Sequence, residues 1–165
     1  MTEPTADSRR AEIRASLDEA RACFHELLGS LSDADLGRKG SGSGWSAGEA
    51  ATHIVSSLQD MPALIGNLRR SKNHLNVPLA VAEPVKRVAT WWLARGATTE
   101  ALTRRFDAAM HPVQVLLETI VEEEWARGGR AYGEGYWTVD TAFRHVQEHV
   151  QEHARQIRLM LALAG

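Results

Sequence analysis

The chain has 165 residues with 19 Lys+Arg against 21 Asp+Glu, a net charge of -2 with neutral histidines. That length suits one domain spanning residues 1–165, large enough to hold a core without staples. The near-neutral balance lacks the basic excess that displaces counterions from phosphates, so nucleic acid is not an expected partner. One cysteine, Cys23, excludes an internal disulfide and a cysteine-based zinc cluster. Histidine, 7 in all, is the one plentiful reactive side chain.

The N-terminus has no apolar run behind Arg9-Arg10, unlike a signal peptide, and no stretch nears the ~18 apolar residues that span a bilayer. The expectation is a cytoplasmic chain without a membrane partner, its lone thiol reduced and serving as a small buried hydrophobe.

The first predicted helix runs from about Ser8 to Leu28, with Ile13, Leu17, Ala20, Phe24, Leu27 and Leu28 at helical spacing. Ser32 with Asp35 can open a short turn. The glycine-rich stretch Gly37 to Gly44 reads as a connector, because it lacks the Gly-Lys-Ser/Thr ending of a phosphate loop and no strand precedes it.

Ser46 and Glu49 form a capping box that starts a second helix, striped by Ala50, Ile54, Met61, Ile65 and Leu68, and Pro62 should kink or end it. Residues 71–84 read as irregular, and Glu83 to Arg95 as a short helix carrying Trp91 and Trp92. A further helix is predicted from Thr98 or Thr99 to about Trp125, with a kink near Met110 ahead of Pro112. Gly128, Gly129, Gly133 and Gly135 mark a loop. The last helix runs from about Thr138 to Ala162. With no strand pattern, the expected fold is all-α, a four-helix bundle with long connections and room for a short extra helix.

The last helix carries His145, His149 and His153 at four-residue intervals, so neighbouring imidazoles project from one side and can reach one ion. Its apolar stripe is Val139, Phe143, Val146, Val150, Ile157, Met160 and Ala164. At ~100° per residue His153 falls within that stripe, His149 on its margin and His145 toward the polar side. A metal inside the bundle would therefore use His149 and His153, with His145 as a neighbour. Two histidines leave an ion short of ligands, and His53, one turn beyond Glu49, is the best third. His25, His74 and His111 have no paired spacing and read as structural. Glu49 reads as a cap, Glu148, Glu152, Arg155 and Arg158 as solvated charges, and Phe143 and Trp137 as core.

The segments Trp45-Ser46-x-x-Glu49 with His53 four residues on, and His149-x-x-x-His153 followed by Gln156-Ile157, resemble the DinB/YfiT-like superfamily of metal-binding four-helix bundles. The resemblance implies a triad of His53, His149 and His153 on a divalent ion, with zinc, nickel and iron all compatible with imidazole ligands. It also implies an enzyme of thiol chemistry, an S-transferase or isomerase using a low-molecular-weight thiol such as bacillithiol or mycothiol. The same ligands would serve a metal-dependent hydrolase, or a non-enzymatic bundle that stores or senses the metal. Trp91, Trp92 and Trp125 either pack within the monomer or supply a homodimer face.

Overall fold

The computed structural model describes residues 6–40, 44–77, 79–133 and 135–163. Residues 41–43 of the predicted connector, and Ala164 of the predicted stripe, lie outside the described residues.

Five helices follow in chain order: α1 (Ala6–Gly29), α2 (Ala47–Leu68), α3 (Leu79–Ala94), α4 (Thr99–Glu118) and α5 (Val139–Leu163). Helix α1 packs on α4 and α5, and α2 packs on the same two, so four helices close a ring in the order α1–α5–α2–α4. Helix α3 lies outside it, against α2. The apolar stripes read from sequence meet inside the ring, where Ile13, Leu17, Phe24, Leu64, Phe106, Val113 and Phe143 are fully buried. Phe24 and Phe106 stack at 4.2 Å between α1 and α4.

Neither long helix ends at its proline. Helix α2 continues past Pro62 to Leu68, and α4 past Pro112 to Glu118. A proline inside a helix costs about 3 kcal/mol. Beyond Pro62 the buried Leu64, Ile65 and Leu68 supply apolar burial of about 1.5–3 kcal/mol each, which outweighs it. Helix α3 starts at Leu79, before the predicted Glu83, through the helix-favouring Leu79-Ala80-Val81-Ala82 run.

Helix α4 stops short of the predicted Trp125, and the carbonyls just beyond its end find side-chain donors. The Arg69 guanidinium donates to the Thr119 carbonyl at 3.3 Å and that of Arg10 to the Ile120 carbonyl at 2.9 Å. Trp125 then turns into the core against Phe143. Trp91 and Trp92, by contrast, are exposed on α3. Cys23 is only partly covered by the core.

The predicted glycine loop contains a hairpin, β1 (Gly128–Ala131) antiparallel to β2 (Gly135–Thr138), with Gly129 opposite Trp137. Here glycine is needed for close approach. A Cβ on Gly128 would stand 2.1 Å from the Trp137 carbonyl oxygen, and one on Gly129 2.5 Å from that of Lys72. Among the described residues no helix is long and apolar enough to cross a membrane.

Candidate metal centre

The capping box forms as read: Ser46 accepts from the Glu49 amide at 3.1 Å and Glu49 accepts from the Ser46 amide. It fixes the start of α2 and therefore the angle at which His53, in the second turn, leaves the helix. His53 is buried and faces α5. There His149 and His153, one turn apart, complete a cluster in which one ligand atom from each ring lies within 4.8 Å of the others. The Nε2 atoms of His53 and His149 are 3.2 Å apart. The three ring centroids lie 4.5–5.0 Å from one another.

The third ring is oriented from outside. His153 Nδ1 lies 2.9 Å from Gln156 Oε1, and the Gln156 amide in turn donates to Glu152 at 3.0 Å. Because the amide oxygen can only accept, this bond assigns the proton to Nδ1 and leaves the Nε2 lone pair for the cluster.

Electrostatics keep these rings neutral. Burial, then the positive charge of Lys86, then His153, pushes the pKa of His53 down to about 3. Burial first, and then the neighbouring His153 and His53, lowers His149 to about 2. His153 is also lowered, chiefly by burial, against the pull of Gln156 and Glu152. Neutral imidazoles present lone pairs, and no carboxylate or thiol of the described residues joins the cluster. Three convergent neutral nitrogens suit a borderline divalent cation such as zinc, nickel or iron, and suit calcium or magnesium poorly. The donor set thus fits the ion that the sequence resemblance implies.

Aromatic rings wall the cluster. Trp45 stands edge-on to His53 at 5.0 Å and stacks over His153 at 6.4 Å. Trp137, read from sequence as core, packs half-buried against the core and also meets His145 edge-on at 4.7 Å, and His145 tilts against His149 at 5.3 Å. His145 therefore sits beside the cluster and outside the ligand group.

The other sequence readings divide. His25 pairs with Asp107 at 2.9 Å on the α1–α4 surface, and His111 is exposed. Arg155 and Arg158 meet Glu152 and Glu26 in solvent. His74, read as structural, is buried, with its two ring nitrogens hydrogen-bonded to Asn67 and Asp60. The sequence reading passed over Lys86 and Asp60. Asp60 carried one signal, its seven-residue spacing from His53.

The family model of the DinB superfamily matches the chain over residues 16–157. Among solved structures, the fold is similar to that of the mycothiol-dependent maleylpyruvate isomerase, with a TM-score of 0.63 and 14% identity. A mutant of that isomerase gives the same values. The match covers 94% of this chain and 63% of the isomerase chain, so this chain spans less than two thirds of that protein. At such identity the likeness establishes the fold alone. A search of curated proteins finds no match. With the family model covering most of the bundle, including His53, His149 and His153, the chain belongs to the DinB superfamily.

Proposed function

We propose that the chain is a single-domain, cytoplasmic, metal-dependent enzyme of thiol chemistry, an S-transferase or isomerase that uses a low-molecular-weight thiol. His53, His149 and His153 hold its divalent ion, zinc, nickel or iron. The observation that carries this reading is the convergence of three neutral, aromatic-walled imidazoles from two helices. A bound divalent ion would supply Lewis acidity, lowering the pKa of a thiol or water that reaches its open position.

The protein's own groups do the rest. Gln156 holds the His153 ring in its donor orientation. Trp45 shields one side of the cluster, and His145 with Trp137 the other. Lys86 places a positive charge within electrostatic range of all three imidazoles, which favours an anionic substrate. The mycothiol-dependent activity of the isomerase with the similar fold supports thiol as the co-substrate.

The test is an assay of the metal-loaded protein for conjugation or isomerisation, across maleylpyruvate and other electrophiles with mycothiol, bacillithiol and glutathione. Turnover that needs both metal and thiol is expected. Activity indifferent to thiol would overturn the reading. Replacing Gln156 with Leu should weaken metal affinity about 10- to 100-fold, the usual cost of losing a group that orients a ligand. Competition with a chromogenic chelator measures it, and an unchanged affinity removes Gln156 from the site.

A further inference from the structure

Asp60 stands seven residues beyond His53. Seven residues turn a helix through ~700°, so both side chains leave α2 on one face, about 10 Å apart along its axis. Asp60 belongs to a fixed polar array. The Tyr132 hydroxyl donates to its Oδ2 at 2.6 Å, and His74 Nε2 lies 2.8 Å from the same oxygen. The Asn67 amide donates to His74 Nδ1 at 2.9 Å, which assigns the ring proton to Nε2 and makes that nitrogen the donor to Asp60. The His74 backbone joins β1: its amide donates to the Arg130 carbonyl, and its carbonyl accepts from the Tyr132 amide. Tyr132 itself takes a left-handed backbone, φ +57°, a conformation unfavourable for a residue with a side chain.

Both donors use one carboxylate oxygen. Oδ1 accepts no hydrogen bond among the described residues, and the Asp60 side chain is 32% exposed although its partner His74 is only 6% exposed. Oδ1 is therefore left for a donor from outside the array. From the array, ring contacts lead back to the metal centre: Tyr132 to Trp137 at 5.8 Å, Trp137 to His145 at 4.7 Å, and His145 to His149 at 5.3 Å. Asp60 and the three histidines thus end one continuous wall built by α2, the hairpin and α5.

We propose that Asp60, oriented by His74 and Tyr132, is a binding subsite for hydroxyl groups on the tail of the ligand whose thiol meets the histidines. The ligand class is therefore a thiol with a polyol tail, an inference that rests on the thiol reading above. A fixed carboxylate oxygen accepts hydrogen bonds from sugar or cyclitol hydroxyls, and the Tyr132 and Trp137 rings offer apolar surface to the C–H faces of such a ring.

Calorimetric titration of the metal-loaded protein with mycothiol, which carries a glucosaminyl-inositol tail, and with cysteine, which does not, tests this. Mycothiol should bind at least about tenfold more tightly than cysteine. Asp60→Asn should lose about tenfold in mycothiol affinity, with cysteine affinity and metal content unchanged. Its amide oxygen can still accept from Tyr132 and His74 while an NH2 group replaces Oδ1. Tyr132→Phe, which leaves Asp60 intact but removes one of its two orienting donors, should weaken mycothiol binding alone, by about threefold. Equal wild-type affinity for the two thiols, or equal weakening of both by the variants, overturns the subsite and leaves the thiol reading standing. No binding of either thiol overturns both.

Discussion

Alanine in place of His53, His149 or His153 is expected to strip most of the bound metal from the purified protein, while His145→Ala retains it. The three rings share one small volume from which His145 is excluded, although it touches His149. Removing an orienting group from a metal ligand costs about 10- to 100-fold in affinity, and removing a ligand itself should exceed that range. The surrounding shell makes compensation by His145 difficult, because its ring is packed against Trp137. Elemental analysis of the four variants, with circular dichroism to verify helicity, is the measurement. Equal metal content in all four would dismiss the triad, and loss in His145→Ala and His149→Ala with retention in His153→Ala would move the centre one turn along α5.

The metal-free protein should lose stability on mild acidification. In the unfolded chain His53 and His149 take up protons near pH 6.5, whereas in the fold they stay neutral until about pH 3 and about pH 2. The unfolded state therefore binds more protons across that interval, so stability is complete above pH 6.5 and falls as pH falls below it. Between pH 7 and pH 5 the loss is about 2 kcal/mol for each histidine. Carboxylates held low by their partners, such as Asp35 and Glu124, act at more acidic pH. Urea midpoints at pH 7, 6 and 5 measure the effect, and His53→Ala should flatten the profile by its share. A variant with the same slope as the parent would show that burial of His53 does not govern its protonation.

The bundle was legible because its signals are local. Apolar residues at helical spacing mark α1, α2 and α5, and Ser46 with Glu49 announces the start of α2 from four residues. The histidines were legible for the same reason: the interval from His149 to His153 is one helical turn, and His53 follows a recognisable cap. The hairpin was not, since Gly128 and Gly129 are glycines on account of the Trp137 and Lys72 carbonyls, neighbours set only by tertiary packing. Of the two outcomes open at Pro62, an early end is excluded because buried contacts further along α2 outweigh local propensity, and α4 continues past Pro112 as its pattern required. His74 and Tyr132 join Asp60 only through that same hairpin, so no spacing in the sequence could pair them.

The centre joins two distant parts of the chain, with His53 and His149 separated by 96 residues. The helices that carry them touch only as members of the closed ring, so neither end of the chain can assemble the ligand set alone. Contacts of such sequence separation pay their loop-closure entropy early and are rewarded late. Metal uptake is thus a reporter of completed assembly. A chain stalled with α5 undocked would retain helical content yet hold no ion, and high-affinity binding would appear only with the final docking event. Any ion captured then binds the native state alone and adds its binding energy to global stability, tying protein lifetime to metal supply.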